Sequence, residues 1–273
     1  MKIKKSLHYK SQNQIWRLLI SENDYLLIET RDTNNKEVFF NCFDLNKSQK
    51  LFLNMQFEEK YWLGIEKFHK NILLLHRFTK PDMPDHKGII AFDVVQKKII
   101  WQNDDLTFLF LDDESVFGFV RKFEGRIHYK FDLLSGQNIE QLDFSNDKIN
   151  SFRQTALKKE DFSNYTFPSF WDDKNADTLL NEFIQSSIIS KDIVGNIEFA
   201  VKNDFLCFNF YFKSDDRFLI NKFICYNIPR RKLLIDKIIN TEVSYPAPDS
   251  FFIYKNLIIF LKDKLEIYIY KFE

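Results

Sequence analysis

The sequence contains one short pattern four times, and this repeat constrains the fold more than any other feature. Each copy has an aromatic residue at its second position, Asp or Asn at the third and an aliphatic residue at the fourth. Polar residues and a second apolar run follow. The copies align without a gap as CFDLNKSQKLF at 42–52, AFDVVQKKIIW at 91–101, KFDLLSGQNIE at 130–140 and CYNIPRRKLLI at 225–235. Such self-similarity predicts one structural unit that is used several times.

Each copy is typical of a turn between two antiparallel strands. The apolar residues at either end belong to strands, and the polar residues between them form the turn. A side chain at the third position can accept hydrogen bonds from backbone N–H groups two residues later. We therefore assign a structural role in the turn to Asp44, Asp93, Asp132 and Asn227. In one copy Gly136 lies where the turn is expected to need a left-handed residue.

A second signal, a short polar turn before an apolar strand, recurs in phase with the first. Its copies begin at Ser21, Phe68, Asp112, Val201 and Ile253, so three of the four spacings lie between 44 and 52 residues and one is 89 residues. Each unit then reads as four strands joined by short connections. About 45 residues per four-stranded unit is the period of a β-propeller blade. The sequence therefore predicts an all-β chain.

The copy at 91–101 resembles the quinoprotein-like, WD-like propeller repeat, which is commonly written A-x-D-x-x-T-G-x-x-x-W. Ala91, Asp93 and Trp101 fit that pattern, whereas Gln96 and Lys97 replace its Thr-Gly pair. The resemblance implies a propeller fold in which the Trp packs between adjacent blades. It implies no quinone binding by the motif and carries over no catalytic residue. The degenerate repeats indicate an uncharacterised bacterial family of unknown function.

The third copy departs from the pattern in the opposite way. Ser135 and Gly136 restore a small residue followed by Gly, but Glu140 stands where the pattern has Trp.

The repeat predicts a single propeller domain over residues 1–273, with five blades. The double-length spacing indicates an insertion at 146–194, between blades three and four, with one helix at about 176–189. Asp177 or Asn175 is the expected cap of that helix. An alternative is that 146–194 is a sixth, degenerate blade.

The last unit lacks a fourth strand after its third one, and this predicts how the sheet is completed. Residues 2–9 precede the first unit and have strand character. We expect them to supply the outer strand of the last blade, because an unpaired edge is avoided in most proteins.

Composition narrows the functional classes. The formal net charge is zero, which gives no basic footprint for nucleic acid. No apolar run approaches the roughly 18 residues of a membrane span. The three cysteines show no C-x-x-C spacing, which disfavours a disulfide framework. We expect a cytoplasmic protein, a monomer, without cofactor, nucleic-acid or membrane partner.

Histidines are the first candidates for chemistry. His86 lies with Asp82 and Asp85 in the segment KPDMPDHKG, after His76 in the preceding apolar run. The spacing matches no metal-binding motif, so we expect a solvated loop and no metal site. His128 alternates with charged residues, which predicts a half-exposed strand face.

Two carboxylates are the candidates for catalysis. Glu66 and Glu198 lie in or near predicted inner strands. Glycoside hydrolysis uses two carboxyl groups about 5–9 Å apart, one of them with a raised pKa. A carbohydrate-active hydrolase that works in the central channel is therefore the alternative function.

The insertion carries a dense aromatic cluster, FSNYTFPSFWDD, which the repeat does not need. Tyr165, Phe167, Phe170 and Trp171 are the predicted partner-binding residues, because exposed aromatics are frequent anchors in protein interfaces. The alternative is that these side chains plug the fold or cover a blade edge. The function we expect is a non-enzymatic binding or scaffolding module whose partner is a protein.

Overall fold

The structure is a computed structural model of the chain and describes residues 2–80, 83–137, 139–174, 177–214, 217–248 and 250–273. Asp82 and Asn175, two of the residues considered above, lie outside the described residues.

The described residues form antiparallel strands and two helices, so the chain is all-β with a small helical part. In chain order the elements are β1 Ile3–Lys10, β2 Gln14–Ile20, β3 Tyr25–Asp32, β4 Glu37–Asp44, β5 Gln49–Met55, β6 Leu63–His69, β7 Ile72–Lys80, β8 Met83–Asp93, β9 Lys98–Asn103, β10 Thr107–Asp112, β11 Ser115–Lys122, β12 Gly125–Asp132, β13 Glu140–Leu142, α1 Asn146–Lys158, β14 Tyr165–Thr166, β15 Ser169–Phe170, α2 Thr178–Ile188, β16 Ile193–Lys202, β17 Phe205–Lys213, β18 Leu219–Asn227, β19 Lys232–Val243, β20 Phe251–Tyr254, β21 Leu257–Lys262 and β22 Glu266–Phe272.

These strands form five antiparallel sheets within the described residues, and the chain separates into two compact units. We call Asn13–Glu160 the continuous unit, and Met1–Gln12 with Asp161–Glu273 the two-segment unit. The continuous unit holds three four-stranded sheets, β2–β5, β6–β9 and β10–β13, each in chain order. A four-stranded antiparallel sheet in chain order is how a propeller blade is built.

Both faces of the middle sheet of the continuous unit are buried. Leu73 and Leu75 of β7 belong to a core cluster with the first sheet, while Leu74 belongs to a cluster with the third sheet. Successive side chains of a strand point to opposite faces, so β7 lies between two apolar layers. Its run of four apolar residues follows from this position.

The two-segment unit holds two five-stranded sheets, ordered β15-β16-β17-β18-β19 and β1-β22-β21-β20-β14. The N-terminal strand pairs with the last one, from Ile3 opposite Phe272 to Lys10 opposite Glu266. The sequence prediction that the N-terminus supplies the outer strand of the last sheet is confirmed. Cys207 and Phe223 of one sheet and Phe260 of the other share a core cluster.

The insertion differs from its prediction because it contains two helices instead of one. α2 matches the predicted helix and is capped by Asp177, whose carboxylate accepts hydrogen bonds from the N–H groups of Leu179 and Leu180. α1 was not predicted, since only Ile149 and Ala156 of its residues are buried and its apolar periodicity is weak.

The four turn residues accept hydrogen bonds within the turns that follow them. Asp93 Oδ1 accepts from the N–H groups of Val95 and Gln96, both at 2.8 Å. Its Oδ2 accepts from the side chain of Asn71 at 2.8 Å. Equivalent bonds run to Asp44 from Lys47 N, to Asp132 from Leu134 N and Ser135 N, and to Asn227 from Arg230 N.

The backbone conformation is also the same in the four repeat turns. The residue four positions after each turn Asp or Asn has a positive φ, which is 52° at Ser48, 57° at Lys97, 64° at Gly136 and 47° at Arg231. The left-handed conformation expected at Gly136 is therefore present in all four copies. Three copies place a side chain there, where the left-handed conformation is unfavourable for residues other than Gly.

Trp101 connects the second and third sheets of the continuous unit. Its indole N–H donates to the carbonyl of Leu133 at 2.7 Å, and its ring packs edge-on against Phe131. A Cβ on Gly136 would lie 2.6 Å from this ring. Glycine is needed here for space, and it also favours the left-handed conformation. The contact matches the role that the repeat resemblance implies for the Trp.

A line of charged groups joins the tight turns of the same three sheets. Glu22, after β2, accepts from His69 Nδ1 at 3.0 Å and from the N–H of Lys70 at 2.6 Å. The ammonium group of Lys70 in turn contacts Glu114 in the β10–β11 turn. Burial raises the pKa of the Glu22 carboxyl, but the hydrogen bonds from His69 and Lys70 outweigh it and lower the pKa to about 2.

We predict that Asp93→Ala lowers stability by about 1–3 kcal/mol, because the turn N–H groups of Val95 and Gln96 and the side chain of Asn71 lose their acceptor. Asp93 is 3% exposed. The matched control is Asp85→Ala, which removes an exposed partner of Arg121 and is expected to change stability by no more than about 0.5 kcal/mol. Thermal melting of both variants checks this, and equal melting temperatures would contradict the structural role of the turn.

We predict that Glu22→Gln is less stable than the native chain at neutral pH. The difference in stability between the two chains should shrink as the pH falls. The folded-state pKa of about 2 lies below the ordinary 4.5, so ionised Glu22 stabilises the fold above pH 4.5. That contribution is lost as the pH falls through 2. The melting temperatures of the two chains should converge between pH 6 and pH 2, and Glu124→Gln, which removes an exposed carboxylate, is the control. A Glu22→Gln difference independent of pH would exclude this linkage.

We predict that removing residues 1–10 destabilises the chain and promotes association. The deletion takes buried Leu7 and Tyr9 away and leaves the outer edge of β22 unpaired, and exposed edges pair with other molecules. Melting temperature and light scattering report the two effects. A truncated chain as stable and as monodisperse as the full one would show that β1 is dispensable.

Candidate functional site

Glu66, His76 and His86 form a compact cluster in the continuous unit. Glu66 Oε1 lies 2.8 Å from Nδ1 of His76 and 2.8 Å from Nδ1 of His86. The two imidazole rings are stacked, with centroids 3.5 Å apart and planes inclined by 10°. One nitrogen of each ring and a carboxylate oxygen all lie within 4.8 Å of one another. This is an arrangement that could hold a metal ion.

Three strands bring these residues together, and a bulge aims the first of them. Ile65 lies opposite Leu75 and Lys67 opposite Leu74, so Glu66 is an extra residue in β6. Such a bulge redirects a side chain and is common beside functional sites. Across the sheet, His86 of β8 lies opposite Phe78 of β7.

Gly64 makes room for His76. The two residues lie opposite each other in the β6–β7 pair, and a Cβ on Gly64 would lie 2.5 Å from two atoms of the His76 ring. Phe78 contacts both rings edge-on, at 4.9 Å from His76 and 5.7 Å from His86. The imidazole pair is thus confined on one side by backbone and on another by an aromatic ring.

The carboxylate and the buried ring have unusual electrostatic surroundings. Burial raises the pKa of Glu66, but the close contacts and charges of His76 and His86 outweigh it, and the pKa lies below its usual range. His76 is 3% exposed. Its Nδ1 is close to Glu66 but poorly aligned, and neither ring nitrogen has a well-formed hydrogen bond.

Two sequence expectations about histidines are wrong. His86 lies in strand β8 and not in a solvated loop. Its carbonyl accepts a hydrogen bond from Thr107. His128 is buried and not on a half-exposed face; burial and the charge of Arg126 lower its pKa. The expectation that the chain has no metal site stays a prediction, and the cluster is the observation that argues against it.

The two candidate catalytic carboxylates lie in different units. Glu66 belongs to the continuous unit, and Glu198 belongs to β16 of the two-segment unit. Glu198 is buried and lies opposite Asn209 of β17.

The aromatic insertion extends the edges of both sheets in the two-segment unit. Tyr165 and Thr166 pair with β20, while Ser169 and Phe170 pair with β16. A covered edge cannot pair with another chain. The backbone of this segment therefore covers sheet edges, which was the alternative interpretation of the aromatic cluster.

The side chains of the segment behave differently from its backbone. Phe162, Tyr165, Phe167 and Phe252 form what we call the aromatic patch, with the rings of Tyr165 and Phe167 stacked 5.5 Å apart. Phe162 and Phe167 are more than half exposed, at 56% and 53%. Phe170 is exposed at 61% in the neighbouring sheet.

Trp171 differs from these exposed rings, because its side chain packs against the core. It packs against the core cluster that contains Phe183 and Ile184 of α2. Its indole N–H donates to the side chain of Asn181 at 2.8 Å. Of the four predicted partner-binding residues, Phe167 and Phe170 are therefore the exposed ones, and Tyr165 is half-buried.

Comparison with known proteins gives one family match. Residues 20–101 match the model of a family described as a domain of unknown function, DUF4905. The matched region runs from the end of β2 into β9 and includes Asp44, Asp93 and the Glu66–His76–His86 cluster. No curated protein matches the sequence.

Several solved structures are similar at low identity. The β-propeller domain of the Trilobed protease from Pyrococcus furiosus has 10% identity and a TM-score of 0.33, over 95% of this chain and 66% of that one. The Dos1 propeller has 10% identity and a TM-score of 0.27, over 98% and 54%. A post-proline cleaving enzyme from Rickettsia typhi has 11% identity and a TM-score of 0.33, over 91% and 42%. The chain spans less than two thirds of the length of each.

The described helices and the three cysteines give two further observations. Among the described residues, no helix has the length and apolar character needed to span a membrane. Cys42, Cys207 and Cys225 are buried free thiols. The sulfur atoms of Cys207 and Cys225 lie 3.4 Å apart across β17 and β18.

Proposed function

We propose that this chain is a protein-binding module built as a single five-bladed β-propeller, with the aromatic patch as its docking surface. Five antiparallel sheets, the repeated turn geometry and the contact of Trp101 with the following sheet support the fold. In this proposal each sheet is a blade. The insertion at 146–194 is then an addition to the blades and not a sixth blade.

The exposure of Phe162 and Phe167 carries the functional proposal. Burying a Phe side chain is worth about 1.5–3 kcal/mol, and this gain is not realised while the rings face solvent. The stacked neighbours Tyr165 and Phe167 restrict each other's motion, so little side-chain entropy is lost on docking. Apolar side chains of a protein partner fit such a surface. Phe170, which is exposed in the neighbouring sheet, is the candidate extension of this surface.

The backbone role of the segment favours this use. Pairing with β20 and β16 fixes the segment at two points, so its rings are presented on a rigid support. Preorganised surfaces bind with smaller ordering costs than mobile loops. Covering the sheet edges and presenting the rings are therefore compatible roles of one segment.

The proposed location is the cytoplasm, and the proposed state of the free chain is a monomer. Two thiols 3.4 Å apart suit a reducing compartment, where they stay unlinked. A formal net charge of zero offers no general attraction to nucleic acid or to anionic lipid.

A carbohydrate-active hydrolase is less well supported. Its acid would need a raised pKa, whereas the pKa of Glu66 is lowered. Glu66 suits the ionised partner of such a pair, but its contacts are two imidazoles and not a second carboxylate.

We predict that Phe162→Ala combined with Phe167→Ala leaves the melting temperature unchanged and abolishes partner capture. Truncating an interface anchor costs about 2 kcal/mol or more, which is about thirtyfold in affinity. The measurement is capture from native lysate with mass spectrometry, followed by titration of each partner found. Phe170→Ala tests whether the surface extends.

Two further variants make this experiment decisive. Phe123→Ala removes an exposed ring in the β11–β12 turn and should change neither stability nor capture. Trp171→Ala should lower the melting temperature, because that ring packs against α2. If the Phe162 and Phe167 double variant melts normally and retains every partner, the aromatic patch is not the docking surface.

A further inference from the structure

We infer that Glu66, His76 and His86 bind a divalent transition-metal ion, and that Zn²⁺ is the ion best suited to them. Two imidazole nitrogens and one carboxylate oxygen form a ligand set that zinc commonly takes in proteins. Mixed nitrogen and oxygen ligands of this kind favour transition ions over Ca²⁺ or Mg²⁺, which prefer oxygen alone. The site is distinct from the aromatic patch and lies in the other unit.

The surroundings of the His76 ring are a second observation that favours a bound ion. Buried polar groups are almost always hydrogen-bonded, yet both nitrogens of this 3% exposed ring lack a well-aligned partner. Its Nδ1 faces the Glu66 carboxylate at 2.8 Å. A cation between these atoms would give the buried nitrogen a partner and would neutralise the carboxylate.

The other two sheets of the continuous unit show that the fold does not require this cluster. The first strand of each sheet in the continuous unit has a bulge at the same register, and the extra residue is Trp16 in β2, Glu66 in β6 and Leu109 in β10. His76 lies opposite the residue two positions before the bulge, and the residues in the same position in the other two sheets are Arg31 and Phe119. The cluster is therefore particular to the second sheet.

Arg31, the polar residue at the equivalent position in the first sheet, has hydrogen-bond partners in the protein. Arg31 donates to the Glu29 carboxylate and to the carbonyls of Tyr61 and Leu63. Phe119 has no polar atom to satisfy. His76 combines a polar ring with a position where the protein supplies it no well-aligned bond, as expected for a ligand.

Binding requires a small opening of the cluster. Ligand atoms about 2.0–2.2 Å from a tetrahedral ion lie roughly 3.3 Å from each other, whereas Glu66 Oε1 is 2.8 Å from both nitrogens. The stacked rings must therefore part and turn towards the ion. His76 is held by Gly64 and Phe78, so His86 is the ring that moves. Its side chain is 39% exposed, and an ion can reach the site from that side.

Three protein ligands leave one position of a tetrahedral ion open. Structural zinc sites normally fill all four positions with protein side chains, while sites with three ligands keep a place for water or another small ligand. The cluster belongs to the second kind. We therefore expect an exchangeable site instead of one that the fold needs.

The test is metal titration of the full chain after treatment with a chelator. Calorimetry with Zn²⁺ should show one ion per chain, and Co²⁺ should give the absorption bands of a tetrahedral ion. Loss of a group that only supports a ligand weakens metal binding 10- to 100-fold. Loss of a ligand itself in His86→Ala or Glu66→Gln should weaken binding by at least about 100-fold.

The control is His8→Ala. His8 also lies against a carboxylate, Glu266 at 2.7 Å, and is stacked on an aromatic ring, Tyr268, so it tests for nonspecific capture by a histidine–glutamate pair. Its removal should leave zinc affinity unchanged. Zn²⁺ should also raise the melting temperature of the native chain and of His8→Ala, and not that of His86→Ala.

Three outcomes would overturn the inference. The first is the absence of saturable one-to-one binding by the native chain. The second is equal affinity of the native chain, His86→Ala and Glu66→Gln, which would place the ion elsewhere. The third is read from the native chain alone, should the variants fold poorly. Histidine ring resonances in nitrogen-15 spectra should shift with Zn²⁺ at His76 and His86, and a shift confined to other histidines would exclude this site.

Discussion

Burial of both faces of a sheet is the constraint on which the rest of this structure depends. A four-stranded sheet with Leu73 and Leu75 on one face and Leu74 on the other would expose apolar side chains to water on both faces if it stood alone. It needs a neighbour on each side, and the short connections between successive sheets keep those neighbours close in sequence. The turns then have to be tight, which explains why Asp93 and its equivalents accept so many bonds from their own turns. The contact of Trp101 with Gly136 is a consequence of the same close approach.

The parts of the fold that could be predicted are those whose signals are local. A turn Asp acts on residues two and three positions later, so Asp44, Asp93 and Asp132 were recognisable from spacing alone. The partner of β1 was predictable for a different reason: the last unit lacked one strand and the N-terminus had a strand to offer. α1 was missed because its exposed residues outnumber its two buried ones and leave little pattern to read.

The Glu66–His76–His86 cluster was not predictable because its geometry depends on features that leave little trace in sequence. One extra residue in β6 turns Glu66 towards the imidazoles, and a one-residue change of register sends a side chain to the opposite face. The absence of a side chain at Gly64 gives the ring of His76 its place. The available signal was the spacing of His76 and His86 on either side of a short connection. That spacing indicates a hairpin with both residues near one another, whereas a match to known metal motifs misses it. The backbone pairing of Tyr165 and Phe170 with two different sheets had no sequence signal.

The pairing of β1 with β22 has a consequence for synthesis on the ribosome. β22 begins about 250 residues after β1 ends, and at roughly 5–20 residues per second its partner emerges only after roughly 12 to 50 s. The three sheets of residues 13–160 draw all their strands from one uninterrupted segment, so they can form cotranslationally during that interval. Throughout it, β1 remains a solvent-exposed nascent strand with Leu7 and Tyr9 uncovered, within reach of chaperones and proteases. β1 is thus made long before its partner strand and is covered only once β22 has emerged.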